Sequence, residues 1–337
     1  MSTAQSVTIL FGGPSRERLV SVATAQALHA ALPHADLWFW TTDDTVHVVP
    51  PEELLAHAQV FETPFEPKGA GFGDINRALD QAKAESRVML FGLHGGPAEN
   101  GELPLMCEIR RLAFTGAGSA AGNIAFNKGA AKRFASLAGL TVLPNIQLDE
   151  MERALGEYNT LLAKPLRDGS SYGLIIVRTP DDIEAVRAAA KLEEYLVEPF
   201  IVGVEATCGV LEQPDGSVIA LPPIETITAS GVLDYTAKYL APTTQDICPG
   251  RFAPNISEKL MEDALIAHKA MSCAGYSRSD FIVRDNEVVF LELNTMPGLS
   301  RASAYPVSLR AQDISFDEFL DGQIALARKR AGQSQHF

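Results

Sequence analysis

The chain is poor in cysteine and in positive charge, and it contains no apolar run that approaches the length of a membrane span. Its four cysteines, Cys107, Cys208, Cys248 and Cys273, stand far apart without CxxC spacing. They read as reduced, mostly buried thiols of a cytoplasmic protein. Lys and Arg number 28 against 42 Asp and Glu, giving a formal net charge of -14 and a pI near 5.0. That balance argues against nucleic acid or an anionic membrane as a partner, so any anionic ligand needs locally placed Lys and Arg. No basic segment followed by a signal-type apolar core opens the chain, which again points to the cytoplasm. Neither GxGxxG nor GxxxxGK[ST] occurs, which disfavours dinucleotide dehydrogenases and P-loop NTPases.

What is present is an ordinary globular composition, 337 residues of which 46% are hydrophobic, enough for two or three domains. Val7 to Phe11 predicts a buried strand, Gly12-Gly13-Pro14 a turn, and Val20 to Leu32 a helix. The pattern repeats where Val88 to Phe91 leads into His94-Gly95-Gly96 and then Leu103, Leu105, Met106 and Ile109 at helical spacing. Loops after two such strands meet at one sheet edge, where open α/β folds bind ligands. Further on, the pattern predicts a basic helix (127–137), a helix (151–158), strands (160–164 and 174–177), a helix (180–191), a strand (195–200) and a closing helix (316–330). A strand running through Leu211 ends at a hairpin turn, Pro214-Asp215-Gly216.

The most informative stretch is SRSDFIVRDNEVVFLELNTMPG, two apolar runs around the turn residues Asp285-Asn286. Side chains two apart on a strand share a face, so Arg278 groups with Asp280 and Glu292 with Asn294. Two carboxylates and an amide oxygen, with no nearby Cys or His, suit Mg2+ or Mn2+ and a phosphate that completes the shell. Arg278 beside them is an anion clamp. Upstream, the loop Asp168-Gly169-Ser170-Ser171-Tyr172-Gly173 can wrap phosphates with inward N–H groups, and Lys164 ends the strand before it. Lys128 offers a second cation, while Glu198 and Glu205 flank a Pro, Phe, Ile and Val run that can wall an adenine. Taken together these describe a nucleoside triphosphate site.

In this order the segments resemble the D-alanine:D-alanine ligase family of the ATP-grasp superfamily over nearly the whole chain. GGPSRERLVS (12–21), LHGGPAENG (93–101), FTGAGSAAGNIAFNK (114–128), KPLRDGSSYG (164–173), LDYTAKY (233–239), RSDF and ELNTMPG carry the likeness. The resemblance implies an α/β (α+β) ATP-grasp fold: an N-terminal parallel α/β domain (1–120), a central subdomain (121–200) and a C-terminal metal-binding domain (201–337), the latter two α+β and clasping ATP. It implies ATP-dependent joining of two D-alanines through an acyl phosphate, for peptidoglycan precursor synthesis, with two Mg2+ or Mn2+ ions, in a cytoplasmic homodimer. By the same token Asp280, Glu292 and Asn294 hold metal. ATP falls to Lys128, Lys164, Gly169, Ser170, Ser171, Glu198, Pro199, Ile201, Glu205 and Lys238. Arg278 and the Gly298 N–H stabilise the oxyanion, and Glu17, Ser170 and Tyr239 form a trio that locks loops over the site. His94 lies near the first amino acid, and Ser303, Ala304 and Lys238 near substrate.

The chain departs from the family pattern at Leu19, at Pro97 to Gly101, at Thr236, and at Ala304, where a bulkier Leu is common. The last suggests a second substrate other than D-alanine, while the Lys238-Tyr239 pair, without His, favours peptide over ester formation. Two alternatives stay open: a specialised ligase with another second substrate, and a non-catalytic ATP-binding module.

Overall fold

The computed structural model describes residues 6–169, 172–227, 244–301 and 303–333. Its first sheet has six strands in the order Gly71–Gly73, Val46–Val48, Asp36–Trp40, Val7–Gly12, Val88–Phe91, Ala113–Phe114. The last four are mutually parallel. Ile9, Leu10 and Phe11 are fully buried in succession, as expected of a parallel strand covered on both faces. The helix Arg18–Ala31 covers one face through Val22, Ala25 and Leu28.

A three-stranded antiparallel sheet places Leu161–Pro165 between Ile175–Val177 and Tyr195–Pro199. Helices Met151–Tyr158 and Pro180–Ala189 close its core through Met151, Ile183 and Val186. Thr179 and Asp182 form a reciprocal capping box that starts the second of these helices.

The third sheet is antiparallel in the order Gln245–Ile247, Ile224–Ile227, Val204–Glu212, Tyr276–Arg284, Glu287–Asn294, with Val218–Ala220 also on Val204–Glu212. The helix Pro254–Ala270 buries Ile256, Leu260, Ala264 and Ala267, spaced three and four apart, against one face. Burial of Ile256 and Leu260 contributes about 1.5–3 kcal/mol each, and that of the two alanines less. The opposite face forms the floor of a cleft.

The closing helix, Phe316–Gln333, returns to the first sheet, where Ile324 and Ala327 pack with Val88 and Ala113. Arg330 donates to the carbonyls of Gly116 (2.9 Å) and Phe114 (3.2 Å). The predicted helix after His94 exists as Glu102–Arg110, yet Leu105 and Ile109 are 47% and 73% exposed. Only Leu103, Pro104 and Cys107 turn inward there, because the neighbouring helices cover a single face.

Candidate active site

Two glycine turns begin the site. Val7–Gly12 and Val88–Phe91 pair from Val7↔Val88 to Leu10↔Phe91, so their following loops leave the same edge. The Ser21 hydroxyl ties the loops, accepting from Gly12 N and donating to the Gly92 carbonyl, both at 2.7 Å. Gly12 lies at φ +90, and a Cβ there would come within 2.5 Å of the Trp40 carbonyl. Only glycine fits.

Glu17, 7% exposed, faces the backbone of two other loops: a Cβ would come within 2.5 Å of its Oε2 at Gly95 and within 2.7 Å at Gly169. One carboxylate therefore gathers the first turn, the His94 loop and the Gly169 loop. His94 Nε2 lies 2.8 Å from Thr24 Oγ1. Burial drives the His94 pKa down to about 4; its bond to the Met296 backbone opposes this, while the charge of Arg278 adds to it. The imidazole is neutral at pH 7. Glu99, which entered the sequence reading only inside an atypical loop, accepts from Gly95 N at 3.0 Å and lies 3.9 Å from His94 Nδ1. Burial, then the nearby charge of Glu17, raises its pKa well above the ordinary carboxylate value.

The predicted hairpin is present as Tyr276–Arg284 and Glu287–Asn294, with Asp285 and Asn286 at φ 50 and 66 in its turn. Arg278 pairs with Asn294 and Asp280 with Glu292, after which the register shifts. All four therefore face the cleft. Asp280 is the hub: it accepts from Arg278 Nε and Nη2 (both 2.8 Å), from Thr207 Oγ1 (2.6 Å) and from Asn294 Nδ2 (3.1 Å). Thr207 comes from Val204–Glu212, directly opposite Asp280, and was not anticipated from sequence.

Lys128 begins the helix Lys128–Leu137, capped by the Asn127 side chain. Its Nζ donates to the Asp168 carbonyl and lies 3.8 Å from Glu292 Oε2. Lys164 and Glu198, read separately as phosphate and adenine residues, are joined here: Lys164 Nζ lies 2.6 Å from Glu198 Oε1. A further cation that sequence did not single out, Lys132, donates to Glu198 Oε2 at 2.6 Å and to Asn145 Oδ1 at 2.8 Å. Glu198 is 2% exposed; burial raises its pKa, but the two lysines outweigh this and hold it below the ordinary carboxylate value. At the far end, Ser303 Oγ meets Ser300 Oγ at 2.7 Å and would lie 2.8 Å from a Cβ at Gly298.

Glu17, His94, Lys128, Lys164, Gly169, Glu198, Pro199, Ile201, Glu205, Arg278, Asp280, Glu292, Asn294, Gly298, Ser303 and Ala304 all line one cleft of about 670 Å³. The remaining sequence candidates, Ser170, Ser171, Lys238 and Tyr239, and the departure at Thr236, lie outside the described residues.

Family models for the D-ala D-ala ligase N-terminus and C-terminus match residues 6–117 and 145–325. The chain belongs to the D-alanine–D-alanine ligase family. A D-alanine–D-alanine ligase of Syntrophobacter fumaroxidans is 33% identical over 341 residues, covering 97% of this chain and 99% of that one. The VanG D-Ala:D-Ser ligase of Enterococcus faecalis superposes with a TM-score of 0.76 at 26% identity, over 96% of this chain and 99% of that one. The D-alanine–D-alanine ligase of Bacillus anthracis complexed with ATP gives 0.72 at 23% identity, over 99% and 100%. Members of this ligase family thus share the three-sheet, ATP-grasp architecture described above.

Among the described residues, no three His, Cys, Asp or Glu side chains converge as a metal site. The hairpin turns two carboxylates and an amide, Asp280, Glu292 and Asn294, to the cleft, with Asp280 already engaged by Arg278. Such an all-oxygen, incomplete set fits a hard ion that arrives with phosphate rather than a resident one.

Proposed function

We propose that the chain joins two D-alanines at the expense of ATP, giving D-alanyl-D-alanine, ADP and phosphate for peptidoglycan precursor synthesis. The observation that carries this reading is the Arg278–Asp280–Asn294–Thr207 network beside Glu292 and Lys128, in a chain matched along its length by the ligase family. In this reading Lys128 and Lys164 hold the ATP phosphates, with Gly169 lining the cleft beside them. Glu205, Pro199 and Ile201 wall the nucleoside. Glu17 takes the ammonium of the first amino acid beside the neutral His94.

The carboxylate oxygen of that amino acid attacks the γ-phosphorus and ADP leaves. The amine of the second amino acid then adds to the acyl carbon, loses a proton, and phosphate departs with the transferred oxygen. Arg278 and the Gly298 N–H stabilise the oxyanion of the tetrahedral species. Ser303, at the start of the helix Ala304–Ala311, receives the second carboxylate. Asp280, Glu292 and Asn294 would hold Mg2+ or Mn2+, two ions in all, which neutralise phosphate charge when bound.

A second reading, a larger or more polar second substrate, is favoured by Ala304, a small residue on the cleft wall beside Ser303. By the family likeness we place the enzyme in the cytoplasm as a homodimer. Among the described residues no helix is long and apolar enough to cross a membrane. The test is phosphate release with ATP, Mg2+ and D-alanine beside L-alanine, D-serine and other amino acids, with mass detection of products. D-alanyl-D-alanine formed only with D-alanine supports the first reading. A mixed dipeptide formed in preference supports the second, and no turnover with any amino acid would sink both.

A further inference from the structure

We infer that Lys132 is a positioning residue that frees Lys164 to bind the ATP phosphates, an inference that rests on the ligase reading above. Lys128 and Lys132 stand four apart on one helix and so share a face, about 6 Å apart along its axis. Lys128 lines the cleft; Lys132 does not, and reaches Glu198 from behind with its side chain 3% exposed. Glu198 faces the same side of its sheet as Lys164, since it pairs with Leu162 and Lys164 lies two residues further along that strand. One buried carboxylate therefore sits between two ammonium groups, each 2.6 Å away, and Lys132 also donates to Asn145 Oδ1.

A buried carboxylate with a single lysine cannot release it without becoming an unpaired buried charge. With two, Lys164 can turn its ammonium to phosphate while the Glu198–Lys132 pair stays neutral. Lys164 and Glu198 both line the cleft, so Glu198 keeps an acceptor edge toward the nucleobase during that exchange. Lys132 touches no ligand and acts only through the charge balance of Glu198.

The test is a mutant cycle on the full chain: Lys132→Met, Lys132→Arg, Glu198→Gln and the Lys132→Met/Glu198→Gln double variant. The readouts are steady-state KM for ATP and for amino acid, and ADP titration by calorimetry. Lys132→Met is expected to raise KM for ATP and Kd for ADP roughly 30-fold, the scale of truncating one partner of a buried charge pair. KM for amino acid and kcat should stay within about threefold, and Lys132→Arg should recover most of the loss. In the Glu198→Gln background, where no carboxylate needs a second cation, removing Lys132 should change KM for ATP less than threefold. Equal losses in both backgrounds, an unchanged KM for ATP in Lys132→Met, or a joint fall in kcat and both affinities would each overturn the inference. A wild-type chain that neither binds ADP nor turns over would overturn the ligase reading and this inference with it; an active wild type with an indifferent Lys132→Met overturns the inference alone.

Discussion

Asp280→Asn probes the hub of the hairpin while preserving its volume. The change leaves one oxygen and introduces an NH2 that faces donors, because Asp280 accepts from the side chains of Arg278, Thr207 and Asn294. Two come from Arg278 in fork geometry, the strong, charge-assisted kind. In full burial, hydrogen bonds to charged groups contribute about 1.5–3 kcal/mol. The Arg278 and Asp280 side chains are 20% and 21% exposed, so solvent screens part of that, and the expected loss of stability is about 2 kcal/mol. In a chain of this size the melting midpoint should fall by only about 3 °C. Activity should suffer far more. Arg278 would lose the partner that aims it, and the charged oxygens that face the phosphates would lose one member. Removing one preorganised electrostatic group costs about 10²–10³ in kcat. The assay is ATP- and D-alanine-dependent phosphate release, with a thermal melt on the same preparation. A kcat within about threefold of wild type would refute this account of the hub. A melting midpoint lowered by more than about 10 °C would show instead that Asp280 chiefly holds the fold.

Gly12→Ala should destabilise the protein by about 2 kcal/mol or more, because a Cβ at φ +90 meets the Trp40 carbonyl at 2.5 Å; a urea midpoint equal to wild type would count against the close-approach argument. His268, 4% exposed and 2.7 Å from Ser277 Oγ, has its pKa driven down to about 4 by burial, with Glu212 opposing. The folded state then binds fewer protons than the unfolded one between that value and the ordinary 6.5, so stability should fall as pH drops through this window and level off below it, by about 3 kcal/mol in all. His268→Gln should remove that share of the acid loss in urea titrations at pH 7.5, 6.5, 5.5 and 4.5; an acid limb as steep as wild type would contradict the assignment.

The hairpin was legible because its signal is local. Alternation puts Arg278 with Asp280 and Glu292 with Asn294, and Asp285-Asn286 accepts the left-handed turn; the register then brings both pairs together. The glycine turns were equally readable, since Gly12 and Gly95 sit at positive φ where a side chain would collide. Lys132 was not, because a lysine in a basic helix looks solvated until Glu198, 66 residues away, is folded against it. The same pairing hid the joined state of Lys164 and Glu198, whose charges suggested separate roles along the chain. Periodicity marked the helix Glu102–Arg110 but not which side is covered: of the residues at helical spacing, Leu103 is buried while Leu105 and Ile109 are exposed. The return of Phe316–Gln333 to Val88 and Ala113 left no local trace, since an amphipathic helix does not name its partner.

The central claim, phosphoryl transfer to a D-alanine carboxylate followed by amine attack, is tested most directly with carboxylate-18O-labelled D-alanine, ATP and Mg2+. Transfer through an acyl phosphate moves one labelled oxygen into the released phosphate for each dipeptide formed, read by mass spectrometry. Phosphate that carries no label while ATP is consumed would contradict the account, because its fourth oxygen would then have come from water.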